Sequence, residues 1–174
     1  PGETETDVNL LGQKVAEAFS KFEAETGKKI QVWFEPGKYL VSQCGFLVVK
    51  ANVIKQTPAT VFVGVNSGFN HLIRPMMYEA YHHIENISNQ HGTARIYTVV
   101  GNICETDTFA WDRTLPEVRE GDYLVFYNAG AYGFEMSSNF NSRLKPAEVL
   151  VQNGKPILIR KADVFDDLLR NQVM

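Results

Sequence analysis

Cysteine is scarce in this 174-residue chain: Cys44 and Cys104 are its two thiols, and they stand far apart. That excludes a disulfide framework and the paired spacing of a zinc site. No block of Lys and Arg occurs and the formal net charge is -3, which argues against a surface dedicated to nucleic acid or to an anionic membrane. Long hydrophobic runs are missing too. Stretches such as Phe46 to Val49 fall far short of the roughly 20 apolar residues that cross a bilayer, and no charged-then-apolar secretory signal opens the sequence. Repeats and low-complexity segments are absent. The expectation is a cytoplasmic protein with no membrane and no nucleic-acid partner. What is present, 44% hydrophobic and 21% charged residues, is the composition of a soluble globular domain long enough to bury a sizeable core.

Residues 7 to 26 place Leu11, Val15, Ala18, Phe19 and Phe22 at three- and four-residue spacing, with Asp7 as N-cap and Gly27 as stop, which predicts an amphipathic helix. Lys29-Ile-Gln-Val-Trp-Phe34 reads as a short strand running into Glu35-Pro-Gly-Lys38. One helix and one strand bury too little to fold alone, so this opening is expected to belong to a larger α/β domain. From about Val41 the pattern changes to strand-like runs rich in Val, Ile, Phe and Tyr, at 46–54, 60–65, 95–100, 123–127 and 156–160. A mainly β body, a sandwich or a barrel, follows from these, with 66–94 and 101–122 as long loops able to carry function. Lys161 to Arg170 reads as a closing amphipathic helix begun by Asp163. Cys44 is expected to be a small packed or half-buried residue.

Several clusters are candidates for chemistry. In Glu35-Pro-Gly-Lys38 the glycine permits close backbone approach to an anion such as phosphate, although a strand followed by Pro-Gly is more often a plain turn. Arg74-Pro-Met-Met-Tyr78 sets a cation and a phenol four residues apart, neighbours on one helical turn and able to hold a carboxylate; the bland reading is a surface Arg beside a half-buried Tyr. His71, His82, His83 and His91 lack metal-ligand spacing, so no metal is expected, and the adjacent pair reads as one inward and one outward residue. Gly101-Asn-Ile-Cys-Glu-Thr-Asp107 puts Cys104 and Glu105 at a loop tip where a substrate or a second subunit can reach them. A nucleophilic hydrolase is the rival there, without a local Cys-His pair to support it. Finally, Asn128-Ala-Gly-Ala-Tyr-Gly-Phe-Glu-Met-Ser-Ser-Asn-Phe-Asn-Ser-Arg-Leu-Lys-Pro-Ala-Glu148 surrounds Tyr132 with small and amide residues where a core would want Val, Leu or Ile. Backbone packed near a bulky ligand and a β-turn around a packed tyrosine both fit it. Ser137, Asn139 and Asn141 read as local stabilisers of this loop.

Taken in order, these motifs resemble those of diaminopimelate decarboxylases, pyridoxal 5'-phosphate enzymes of the alanine-racemase-like fold (fold type III). The resemblance spans nearly all of residues 35 to 150. It implies that Gly37 and Tyr132 help hold the cofactor phosphate and that Glu35 lies near the cofactor. Arg74 and Tyr78 would bind a substrate carboxylate. Cys104 would deliver a proton after decarboxylation, and Glu105 would read the distal amine of the substrate. Two departures stand out. Lys38 replaces the family's arginine, which keeps the charge and loses a planar two-point grip on a carboxylate. Thr106 stands for serine, and the loop is slightly shorter than in many relatives, which leaves the role of Asp107 open.

The fold class that follows is mainly β: residues 41–174 as the C-terminal β-domain, sandwich or barrel-like, preceded by residues 1–40 as the last helix-strand unit of a (β/α)8 barrel. The lysine through which the family attaches its cofactor lies upstream of the matched motifs, so this chain alone is expected to be inactive. The implied activity is conversion of meso-2,6-diaminopimelate to L-lysine by a homodimer in which Cys104 and Glu105 serve the neighbouring subunit's site. Rival expectations are a related decarboxylase acting on carboxynorspermidine, ornithine or arginine, or a non-catalytic subunit that pairs with a decarboxylase. Glu105 together with the Arg74 and Tyr78 clamp argues against amines that carry no second carboxylate.

Overall fold

The structure, a computed structural model, describes residues 6–173 and divides into two compact units, Pro1–Pro36 and Gly37–Met174. The first holds helix α1 (Val8–Thr26). The Asp7 carboxylate accepts the N–H groups of Asn9 and Leu10, and Gly27, at φ 68°, closes the last turn by donating to the Glu23 carbonyl. Both ends are therefore capped as the sequence predicts. No residue of α1 is buried, and Leu11, Phe19 and Phe22 stand exposed. The strand expected at Lys29–Phe34 does not form. A strand exists through its ladder, and among the described residues none pairs with this segment, whose Trp33 is 85% exposed.

The second unit opens with the short helix α2 (Gly37–Val41) and a 3-10 turn at Ser42–Cys44. There follow β1 (Leu47–Gln56), β2 (Val61–Val65), helix α3 (Arg74–Tyr78), β3 (Ile84–Asn86), β4 (Ala94–Val100), β5 (Thr108–Pro116) and β6 (Tyr123–Phe126). After two further 3-10 turns come β7 (Glu148–Gln152), β8 (Lys155–Arg160) and helix α4 (Phe165–Leu169). Strands β1 to β6 form one sheet in the order β3, β6, β1, β2, β4, β5, antiparallel except for the β2–β4 pair. β1 pairs with β6 over Leu47–Lys50 and then with β2, and its register slips between Ala51 and Val53. Such a bulge bends a strand and increases its twist. The sheet curls until its outer strands meet: the Asn86 side-chain amide donates to the Glu117 carbonyl just past β5 at 3.0 Å, and Asn89 donates to the same oxygen at 2.9 Å. The result is a nearly closed, barrel-like sheet.

Its interior is packed by Val49, Ala51, Val63, Val65, Tyr97, Val99, Phe109, Leu124 and Phe126. Alternate residues of β1 (Val49, Ala51) and β2 (Val63, Val65) point inward, as period-2 patterning requires. Each large apolar side chain buried in this way contributes about 1.5–3 kcal/mol. Tyr97 is fully buried, and its hydroxyl accepts the Val118 N–H at 3.0 Å, so its polar atom is satisfied.

The two segments expected to be long loops contain structure. Residues 66–94 include α3 and β3, and 101–122 include β5. In β5 the polar Asp112 and Arg113 interrupt the apolar pattern, and a bulge absorbs them: Tyr97 faces Arg113, Val99 faces Ala110, and Asp112 takes φ 48°. The closing helix is only Phe165–Leu169, and Asp163 does not cap it. Asp163 instead accepts the Asn139 amide and the Lys145 N–H, at 2.9 and 3.1 Å. Cys44 is exposed rather than packed, because its 3-10 turn leaves the thiol outside, bonded to the Val41 carbonyl at 3.0 Å.

Candidate functional site

Pro75 in the first turn of α3 pre-sets the helical φ, and Glu79, at φ 52°, ends the helix after five residues. One turn is all that is needed to stack Arg74 over Tyr78, with the guanidinium carbon 5.2 Å from the ring centroid. A second ring, that of Tyr132, lies 5.9 Å from the same carbon. A guanidinium flanked by two aromatic faces is held by cation–π attraction and keeps its N–H groups free. Neither Arg74 nor Lys38 pairs with an acidic side chain among the described residues.

Tyr132 is positioned by a backbone clasp. Ala129 N–H donates to Gly45 O at 2.8 Å, Gly130 N–H to Ser42 O at 3.1 Å, and the Ser42 hydroxyl to Asn128 O at 3.2 Å. Gly45 and Gly130 approach so closely that a Cβ on either would collide with the other's backbone. The turn that follows α2 is thereby stitched to the turn that carries Tyr132. On α2 itself, a Cβ at Gly37 would stand 2.7 Å from the Tyr132 hydroxyl oxygen, so this glycine leaves space that the phenol oxygen occupies. The Tyr132 hydroxyl has no hydrogen-bond partner among the described residues, and the ring is 38% exposed.

His82, within the field of Arg74 and Lys38, is 3% exposed. Its Nδ1–H donates to the Tyr127 carbonyl at 2.8 Å, which fixes the tautomer, and Nε2 has no partner. Burial lowers its pKa below the ordinary 6.5, the Tyr127 carbonyl opposes that, and the positive charges of Arg74, Lys38 and Arg113 lower it further. The imidazole is therefore neutral in a positive field. His83 faces outward, as expected, with Nε2 3.2 Å from the Glu85 carboxylate. His71 accepts from the Ser67 hydroxyl at Nδ1 and donates from Nε2 to the Leu144 carbonyl, both at 2.9 Å.

Cys104 and Glu105 are exposed on a tip that follows β4, the thiol donating to the Glu105 carboxylate at 3.3 Å. No interaction among the described residues joins them to Arg74, Tyr78 or Tyr132. Glu35 lies exposed in the first unit. The sequence-nominated residues of the second unit thus fall into two groups: Gly37, Arg74, Tyr78 and Tyr132 in mutual reach, with Lys38 sharing their field at His82, and Cys104 with Glu105 apart. The Ser137 hydroxyl bonds the Phe134 carbonyl and Asn139 the Arg143 carbonyl, as local stabilisers do, while Asn141 contributes a left-handed φ of 58° instead. Two residues had no role assigned from the sequence. Asp107 is buried at the base of the Cys104 tip, and Ser42 forms the clasp under Tyr132. The glycines beside them, Gly101 and Gly45, were the available signal. Among the described residues no three His, Cys, Asp or Glu side chains come together to hold a metal ion.

Residues 38–130 match the family model of the pyridoxal-dependent decarboxylases, C-terminal sheet domain. The chain belongs to this family. It is 43% identical to the diaminopimelate decarboxylase of Methanothermobacter thermautotrophicus, over 99% of this chain and 41% of that relative. A crystal structure of a diaminopimelate decarboxylase superposes with a TM-score of 0.87 at 38% identity, covering 98% of this chain and 44% of the other. The diaminopimelate decarboxylase of Helicobacter pylori, solved with L-lysine, does so with a TM-score of 0.84 at 32% identity, covering 97% and 40%. The chain thus spans well under half the length of the relatives it matches. In this pyridoxal-dependent family the residue types gathered here suit the cofactor: a phenol at Tyr132 whose hydroxyl has no partner among the described residues, and two cations that pair with no acid among them.

Proposed function

We propose that this chain supplies the C-terminal part of an enzyme that decarboxylates meso-2,6-diaminopimelate to L-lysine. The observation that carries this reading is that Arg74, near the rings of Tyr78 and Tyr132, and Lys38, which acts with it on His82, have no acidic partner among the described residues. Charges left open in this way are receptors for anionic groups, here a carboxylate and a phosphate. Relatives named diaminopimelate decarboxylase, and L-lysine in the neighbouring Helicobacter structure, support the choice of substrate and product.

Pyridoxal phosphate, when bound, supplies the electron sink for the carbanion left by loss of carbon dioxide. The residues of this chain bind and protonate. Gly37 and Tyr132 hold the phosphate, with Glu35 near the cofactor. Arg74 and Tyr78 orient a substrate carboxylate, and Lys38 adds positive charge there. Cys104 delivers the proton that replaces the lost carboxyl group, and Glu105 engages the distal amine. The family resemblance supports a homodimer in which each Cys104 tip serves the partner's site. In this reading residues 1–40 complete a (β/α)8 barrel, residues 41–174 are the β-domain, and the enzyme is cytoplasmic.

The chain alone should release no carbon dioxide from meso-diaminopimelate. Co-expressed with the upstream half of the Methanothermobacter relative, it should release carbon dioxide and form L-lysine, with ornithine a poor substrate. An inactive hybrid, where the relative's own two halves are active, would refute the proposal. Lys38 in place of arginine favours a second reading, a non-catalytic pairing subunit. On that reading the hybrid gains activity only when Lys38→Arg is introduced.

A further inference from the structure

We propose that Asp107 is a positioning residue, whose carboxylate locks the tip bearing Cys104 and Glu105 onto the loop that feeds Arg74 and Tyr78. Asp107 is 6% exposed. Its Oδ1 accepts the Phe69 N–H at 2.6 Å and its Oδ2 the Ile103 N–H at 2.9 Å. One oxygen is thus bonded to the loop ahead of α3 and the other to the tip. Its own carbonyl accepts the Gly101 N–H at 2.7 Å, closing the base of the tip. One further bond runs the same way, Asn102 N–H to Ser67 O at 3.0 Å, while the Arg143 guanidinium donates to Asn102 O at 3.2 Å from another segment.

Space for this carboxylate is reserved by two glycines. A Cβ on Gly68 would stand 2.8 Å from Asp107 Oδ2, and one on Gly101 would overlap the carboxylate. The residue type is also constrained. Two backbone donors need two diverging acceptors, which a carboxylate provides, whereas an amide offers one oxygen and turns a donor toward the other N–H. Cys104 and Glu105 bond only to each other among the described residues, so the backbone of 101–107 alone sets where the thiol and carboxylate stand. From Phe69 the chain passes the fully buried Leu72 and enters α3. Asp107 therefore fixes the position of one group of site residues relative to the other. The catalytic consequence rests on the function proposed above, and the structural one does not.

The test compares Asp107→Asn and Gly101→Ala with the unaltered chain. The readouts are iodoacetamide labelling of Cys104 and Cys44, resolved by peptide mass, amide hydrogen exchange at Phe69 and Ile103, and the melting midpoint. Asp107→Asn should accelerate exchange at Phe69 or Ile103 at least tenfold and change Cys104 labelling severalfold. Cys44 labelling and the melting midpoint should stay close to the parent values. Gly101→Ala, which keeps the carboxylate and displaces it, should give the same signature if Asp107→Asn fails to fold. Parent-like exchange and Cys104 labelling would overturn the proposal. So would global melting of both variants with exchange at Phe69 and Ile103 accelerated no more than at the amides joining β1 to β6, which would make Asp107 part of the general core. In the active hybrid, Asp107→Asn should lower kcat and raise KM together, since it moves Cys104 and Glu105 at once, whereas Cys104→Ser should lower kcat alone. An inactive parent hybrid would defeat the proposed function and leave the labelling and exchange arms to judge Asp107.

Discussion

The hydroxyl of Tyr132 stands where a side chain at position 37 would have to go, 2.7 Å from a Cβ placed on Gly37. The two residues are bound into one device, because the clasp of Ser42, Gly45 and Gly130 holds their backbones together. Gly37→Ala should push the phenol off its position, and Tyr132→Phe should remove the hydroxyl while leaving the ring against Arg74. A hydrogen bond to a charged group contributes about 1.5–3 kcal/mol, so either change should weaken cofactor binding by the hybrid enzyme by about tenfold or more. Titration of pyridoxal phosphate into the two variants measures this, and unchanged affinity in both would remove Tyr132 from the site.

The Arg74 guanidinium carbon lies 5.2 and 5.9 Å from the ring centroids of Tyr78 and Tyr132, and no acid pairs with it among the described residues. Its removal should therefore strike binding rather than folding. Arg74→Ala should raise the substrate KM of the hybrid by roughly tenfold to a hundredfold, the equivalent of one or two charge-assisted hydrogen bonds. Arg74→Lys should not restore it, because an ammonium does not offer the planar fork that grips a carboxylate at two points. A lysine variant with parent-like KM would show that charge alone suffices.

How much of this was legible in the sequence depended on whether the signal was local. Asp7 and Gly27 cap α1 as written, and Arg-Pro-x-x-Tyr gives the one-turn helix that stacks Arg74 on Tyr78. Tyr132 and Gly37, nearly a hundred positions apart, came together through the family resemblance; nothing in either segment names the other. Lys29–Phe34 has the composition of a strand and no ladder, since pairing is a property of two segments. β5 was hidden because Asp112 and Arg113 sit in a bulge that composition cannot announce. Asp107 was invisible for a related reason: its function is to accept two amides brought together only by the fold.

One buried histidine, His82, and one half-buried, His71, bear on the pH response. Burial is the main cause that lowers the pKa values of both His71 and His82 below 6.5. In the unfolded chain they protonate near the ordinary value, while the folded chain resists, so stability present above about pH 6.5 is lost as the pH falls toward the depressed folded values. Asp107 acts with the opposite sign at lower pH. Burial, aided by Glu105, raises its pKa above 3.8 against the pull of the Ile103 and Phe69 amides and of Arg143, so its contribution grows as it takes up a proton. Between about pH 7.5 and 5.5 the histidines should dominate and the urea midpoint should fall. His82→Asn keeps a donor for the Tyr127 carbonyl and cannot titrate, so its midpoint should change less over the same range. An equal slope in both proteins would assign the effect elsewhere.

The turn between β7 and β8 carries the last test. Asn153 and Gly154 take φ of 52° and 72°, the pair of left-handed residues that a two-residue hairpin requires, and Asn-Gly is the strongest short sequence signal for it. β7 was nevertheless not expected, although that dipeptide sits between Val149-Leu-Val and Pro156-Ile-Leu. A two-stranded hairpin is marginal by itself, and the Arg160 guanidinium, bonded to Glu148 and lying 4.5 Å over the Phe134 ring, helps tie its open end to the unit. Gly154→Ala forces a Cβ into a left-handed position at a cost of about 1–2 kcal/mol. Amide exchange at Leu150 and Ile157, which face each other in the ladder, should accelerate by roughly tenfold. The amides joining β1 to β6 should not change, since they belong to the barrel-like sheet; acceleration in both places would mean that the hairpin and the sheet open as one unit.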